Sequence, residues 1–189
     1  SFLLTLPFRA GAEALDVVVT LPWLALLTSF IGGPNVAVVP LLEWNPNGDA
    51  VPAARGRTLR SLSRDARVMA LDSDDAHRVR LDAGKFSNFR ALYLPFPIEA
   101  PQIDAALSDP SVLPFVAQRV LTVLADWDPA NYPYYQRRLA EFQARLSGSG
   151  LAGRQILRDI PVYDLTGYSG ALLQAAGCRI ERPASADWA

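Results

Sequence analysis

Two apolar runs, Leu15 to Thr20 and Val36 to Leu42, constrain this chain most. Between them, Pro22 to Ile31 suits a short helix with proline in its first turn, and Gly32-Gly33-Pro34 stops it. Strand, helix and strand in that order form a βαβ unit. Because both strands are apolar almost throughout, rather than alternating, they predict a parallel sheet covered on both faces with a right-handed crossover.

Beyond this unit the elements are shorter. A polar loop from Glu43 to Ala54 leads to an expected helical turn over Thr58 to Arg64, a third strand over Arg67 to Leu71 and a fourth over Ala91 to Leu94. The intervening Asp72-Ser73-Asp74-Asp75-Ala76-His77 reads as an acidic loop, and Pro95, Pro97 and Pro101 prevent regular structure before the next helix. Ser111 to Asp126 carries Val112, Phe115, Val116, Val120, Leu121 and Leu124 at helical spacing. Asp128-Pro129 then supplies an N-cap with proline at the first helical position. In the helix that follows, Tyr135, Leu139, Phe142 and Leu146 form one apolar stripe beside Arg137, Arg138, Glu141 and Arg145. This helix is amphipathic and half exposed.

Ser147-Gly148-Ser149-Gly150 reads as a flexible break, followed by a strand over Ile160 to Tyr163, a helix over Gly170 to Ala176 and a strand over Cys178 to Ile180. The expected fold is therefore α/β: a parallel sheet with flanking helices, a linking amphipathic helix and a short, partial second α/β lobe. Its divisions are an N-terminal segment or signal-peptide remnant over 1–14, a first lobe over 15–128, the linking helix over 129–149 and the partial lobe over 150–189. Roughly thirty residues bury too little surface for an independent lobe, so this last piece packs on the first lobe, on the helix or on a partner.

Composition narrows the function. Of 189 residues, 50% are hydrophobic and 20% charged, as in a folded globular protein, and 18 basic against 19 acidic residues give no field that would gather nucleic acid. One cysteine, Cys178, forms no internal disulfide, and one histidine, His77, makes no His-rich zinc site. The apolar start from Phe2 to Phe8 closes on Ala10-Gly11-Ala12, a small-x-small tripeptide like the end of a secretory signal, so export to the periplasm is expected. No later segment offers the ~18 apolar residues that span a bilayer.

The run Val17-Val18-Val19-Thr20-Leu21-Pro22, then Ile31-Gly32-Gly33, then Asn45-Pro46-Asn47 follows a recognisable order. Asp109-Pro110-Ser111, Asp126-Trp127-Asp128-Pro129-Ala130-Asn131-Tyr132, Tyr163-Asp164-Leu165-Thr166-Gly167-Tyr168 and Ala176-Gly177-Cys178 continue it. This order resembles the extracytoplasmic zinc- and manganese-binding solute-binding proteins of metal ABC transporters. The resemblance implies two lobes joined by a helix, and a metal held by several histidines and a carboxylate from both lobes. It places Asn47 at the first metal-binding histidine, Ala105 near the second and Asp164 near the third, with the last acidic ligand expected beyond Ala189. A site of that kind retains at most one carboxylate and one neutral amide, too few nitrogen donors for tight zinc binding. The chain thus resembles a divergent, C-terminally short member without the metal-binding histidines.

The candidate site residues follow from both readings. Asn47 and Asp49, with Glu43, lie near the carboxyl end of a parallel strand, where open α/β sheets bind ligands, and loop hydrogen bonding is the plainer role for them. Asp164, with Tyr163, Thr166 and Tyr168, forms a second polar group at a strand end, either facing the first across an interlobe cleft or capping turns. Asn47, Asp49, Asp164 and Tyr168 are therefore the expected ligand-binding residues. His77 and Asp75, with Asp72 and Asp74, are a secondary metal site, set against a solvated acidic loop. Trp44, Trp127, Tyr132, Tyr134 and Tyr135 are read mainly as core, and Cys178 as an inert buried thiol. With no assembled nucleophile, base and orienting group, and no phosphate loop, catalytic residues are not expected and neither is a resident cofactor beyond a weakly held divalent metal. The expected function is an exported, non-enzymatic binding or docking component related to metal ABC transport. Its partner would be a membrane permease or another exported protein, with self-association as an additional mode. The alternative is a binding protein for a weakly held metal ion or a small polar solute.

Overall fold

The computed structural model describes residues 14–53, 62–92, 103–165 and 169–181. Its centre is β1 (Leu15–Val19), followed by α1 (Pro22–Gly32), a 3-10 turn (Gly33–Asn35) and β2 (Val36–Pro40), which pairs with β1 in parallel. A short hairpin of β3 (Leu42–Trp44) and β4 (Ala50–Pro52) follows. Then come β5 (Arg67–Ala70), α2 (Ser73–Arg78) and β6 (Asn88–Ala91), completing a four-stranded parallel sheet in the order β2-β1-β5-β6. The βαβ unit predicted from the apolar runs is therefore present, and β1 lies inside the sheet.

The sheet separates two cores. On β1, Val17 and Val19 face one side with Met69 of β5, while Val18 faces the other with Val68 and Ala70. This is the strand period of two, applied to strands with no polar face. The first core is the larger: α1, α3 (Ile103–Ser108), α4 (Leu113–Trp127) and α5 (Tyr132–Leu157) contribute Leu24, Ile31, Leu107, Val120, Leu124 and Tyr135. Each such aliphatic side chain contributes about 1.5–3 kcal/mol of transfer free energy when taken out of water. Ala76 and Leu81 cover the second core beside Leu41.

The glycine pair that ends α1 has a packing reason. A Cβ on Gly32 would lie 2.5 Å from the Cβ of Val36, and Gly33 takes a φ of 53° to turn the chain into β2. Farther on, α4 ends at Asp128, whose Oδ2 accepts from the Asn131 amide at 2.7 Å and the Tyr135 hydroxyl at 2.6 Å. Asp128 was expected to cap a helix backbone, but its side chain makes no such cap bond at the 3-10 turn Pro129–Asn131. It serves instead as the side-chain corner between α4 and α5. Burial, together with this acceptor, holds the Tyr135 phenol well above the usual tyrosine range.

Two further expectations change. Asp72 to His77, read as a loop, is largely the helix α2, which Asp72 caps by accepting the Asp75 N–H at 2.7 Å. Ser147 to Gly150, read as a break, lies inside α5, which runs for 26 residues. Packing at both ends of α5 overrides the weak propensity of those four residues. The second lobe consists of β7 (Pro161–Tyr163), α6 (Gly170–Ala175) and β8 (Arg179–Glu181), the strands pairing in parallel, and α6 packs against α5 and α3. The helical turn expected over Thr58 to Arg64 falls partly outside the described residues, and the fourth strand, expected over Ala91 to Leu94, instead spans Asn88–Ala91 with Leu92 already beyond it and Leu94 outside the described residues.

Candidate functional site

In an open parallel sheet the ligand crevice lies beyond the carboxyl ends of the strands. Here that edge holds Thr20 after β1, Leu41 after β2 and Leu71 after β5. Backbone bonds from Leu41 N–H to Val19 at 2.8 Å and from Thr20 N–H to Met69 at 3.2 Å carry the ladder to the rim. Asp75 reaches over it from α2. Its carboxylate is fully buried and accepts from the Thr20 hydroxyl and from the Leu71 N–H, the latter at 3.0 Å. The Asp72 cap makes this possible, because it starts α2 close enough to the strand ends for Asp75 to point back at them.

This geometry divides the pair expected as a secondary metal site. His77, two positions after Asp75 on the same helix, is exposed, whereas Asp75 is enclosed. Helix positions two apart point to different sides, so the structure does not bring His77 and Asp75 together as ligands for one ion. Among the described residues, no three His, Cys, Asp or Glu side chains gather where they could hold a metal.

Asn47 and Asp49 both occupy the turn of the β3–β4 hairpin and are exposed. Asn45 organises that turn: its Oδ1 accepts the N–H groups of Asn47 at 2.9 Å and Asp49 at 2.8 Å, and its Nδ2 donates to Asp49 Oδ2 at 3.0 Å. Loop hydrogen bonding, the plainer of the two roles considered for Asp49, is thus observed. The hairpin is held against α1 by Trp44, whose ring meets Trp23 edge-on with centroids 5.9 Å apart.

On the second lobe, Asp164 directly follows β7. It is 8% exposed, and its N–H bonds Glu181 O at 3.2 Å, extending the pairing of β7 with β8. Tyr163 is exposed, and its hydrogen bond to the Glu181 carboxylate raises the pKa of its phenol. Tyr168, with Thr166 and Gly167, lies outside the described residues. Ala105 lies on α3, the first-lobe helix that packs on α6. The position matched by resemblance to a second metal histidine is therefore near the junction of the lobes, and alanine offers no donor there.

Three polar arrangements escaped the sequence reading: Thr20 with Asp75, Asp128 with Asn131 and Tyr135, and Arg138 with Phe30. Two left a trace in spacing. Asp72 and Asp75 stand three apart, as cap and third helical residue do, and Asp128, Asn131 and Tyr135 recur at three and four. The third spans 108 positions, from Arg138 Nε to Phe30 O at 2.9 Å, and no local pattern announces it.

No protein-family model matches this sequence, and no curated protein does. Solved structures do match. ZnuA aligns at 19% identity and a TM-score of 0.68, over 93% of this chain and 75% of that one. The manganese complex of the SBP FpvC from Pseudomonas aeruginosa aligns at 20% and 0.65, over 92% and 72%. The laminin-binding protein Lmb of Streptococcus agalactiae, described as bifunctional with adhesin and metal-transporting activity, aligns at 14% and 0.65, over 92% and 73%. At such identities the likeness establishes architecture: this chain has the fold of these metal-handling solute-binding proteins, the one its motif order resembles.

Proposed function

We propose that this protein is a non-enzymatic binding or docking component of the solute-binding type, acting outside the cytoplasm beside a metal transport system, with a degenerate metal site. One observation carries the reading. The hairpin that resemblance matches to the first metal histidine bears Asn47, with Asp49 engaged by Asn45, and the described residues hold no cluster of three metal-ligating side chains. Two neutral or already engaged oxygen donors on an exposed turn do not replace imidazoles as zinc ligands. Its partner would be a membrane permease or another exported protein, and Lmb, which has the same fold, combines adhesion with metal transport. Calorimetric titration of the purified protein with zinc and manganese tests this. Millimolar or absent binding is expected, and one equivalent bound below micromolar removes the degenerate site.

A second reading keeps solute capture, and the burial of Asp164 at the end of β7 favours it. A carboxylate sheltered at a strand end suits a weakly held cation or a small polar solute in the interlobe cleft, with Asn47, Asp49 and Tyr168 as the other candidate contacts. A thermal-shift screen separates the two. A ligand at ~100 times its dissociation constant adds about 2.7 kcal/mol, and silence across metals and polar solutes leaves docking.

A further inference from the structure

The helix α5 is continuous, yet its two ends belong to different lobes. Its first half is bound to the first lobe: Tyr135 and Leu139 are buried, Phe142 meets Phe30 with centroids 5.7 Å apart, and the Arg138 guanidinium lies 4.3 Å from the Phe30 ring centre. Its last turns are bound to the second lobe. A Cβ on Gly153 would come within 3.2 Å of the Ala176 Cβ, and Arg154 Nη1 donates to Ala175 O at 3.1 Å. Gly153 therefore sits where the close approach of the α6 end leaves little room for a side chain.

Between the two anchors lie Ser147, Gly148, Ser149 and Gly150. The first three are exposed. A Cβ on Gly148 would meet nothing within 4 Å, and one on Gly150 would meet only Arg154 Nη1, at an ordinary contact distance of 3.7 Å. Neither glycine has a positive φ. Neither packing nor backbone conformation asks for glycine at these two positions. Each nevertheless weakens the helix relative to alanine by about four- to fivefold in its closing equilibrium, and the two serines add to this. Helical opening therefore concentrates where four weak formers in succession depend on packing that lies only at the two ends of the helix.

We infer that residues 147–150 are a hinge within α5, about which the second lobe swings relative to the first. The hinge stands on the helix, and swinging about it also parts α6 from the first-lobe helix α3. Its consequence, a cleft whose width this segment sets, rests on the binding function proposed above.

Hydrogen exchange on the full chain tests it, comparing the native protein with G148A/G150A. Amides of residues 148–154, which bond to carbonyls four residues earlier, are expected to exchange at least tenfold faster than those of 136–142. The two alanines are expected to slow them about twentyfold. A second readout follows the lobes themselves, using spin labels on Thr122→Cys of α4 and Arg179→Cys of β8, both exposed sites, in a Cys178→Ser background. The distance distribution is broad in the native chain and narrows with the alanines. Even protection along α5, or a width the alanines leave unchanged, overturns the hinge. Neither measurement uses a ligand, so a zinc titration that contradicts the degenerate site leaves this test intact.

Discussion

Removing one hydroxyl, in Tyr135→Phe, tests the corner that joins α4 to α5. Tyr135 is fully buried, and its hydroxyl donates to the Asp128 carboxylate at 2.6 Å. Phenylalanine retains the ring and its packing, so the loss is confined to one charge-assisted hydrogen bond, worth about 1.5–3 kcal/mol. Asp128 keeps its bond from Asn131, which prevents the larger penalty of a deserted carboxylate. For a chain of 189 residues the change lowers Tm by roughly 3–12 °C. The pH dependence adds a signature. An unfolded tyrosine ionises near 10.0, whereas burial and Asp128 keep Tyr135 protonated well above that in the folded protein. A raised folded-state pKa means that this stabilisation is complete below the unfolded value and is lost as pH rises beyond it, by about 1.4 kcal/mol per pH unit. Urea unfolding of both proteins from pH 8 to pH 11 is the assay, and the other five tyrosines largely cancel in the difference. The native protein should lead by its full margin up to about pH 10, after which the gap narrows. A gap that stays constant to pH 11, or falls below about 0.5 kcal/mol at pH 8, refutes the assignment.

Two further predictions concern the rim and the latch of α5. Asp75→Ala strands the buried Thr20 hydroxyl and the Leu71 N–H, so urea unfolding should show a loss of about 3 kcal/mol. Thr20→Val added to Asp75→Ala should cost less than the sum of the single losses, and strict additivity would show that the two side chains are not coupled. Arg138→Ala removes the bond to Phe30 O and the stacking on its ring, for about 1–2 kcal/mol. Arg145→Ala, whose side chain is 68% exposed and lies farther from that ring, should cost less than about 0.5 kcal/mol, and the reverse ranking would place the latch on the wrong arginine.

Most of the order of elements was legible because it depends on local periodicity, although the β3–β4 hairpin and α2 fall in stretches that read as loops. Val17 to Val19 and Val36 to Val39 are apolar without alternation, and Tyr135, Leu139 and Phe142 keep to one helical face, so strands, crossover and linking helix follow from spacing alone. The motif order likewise led to the fold seen in ZnuA and FpvC. Much less of the candidate site was legible. Asn47 and Asp49 were expected near the carboxyl end of a parallel strand, whereas they lie on the turn of the antiparallel hairpin that follows it, and the engagement of Asp49 by Asn45 depends on how that turn closes.

Tertiary structure decided whatever depended on a residue's surroundings rather than its neighbours in the chain. Asp75 and His77 look equivalent in an acidic string, yet the Asp72 cap forms a helix that turns Asp75 into the sheet edge and leaves His77 outside. Ser147 to Gly150 carries every local mark of a break, yet it is helical because docking on both sides supplies what propensity withholds. Hydrophobic spacing acts within a few residues and is written along the sequence, whereas burial of a carboxylate or support for a weak helix arises only when distant segments meet.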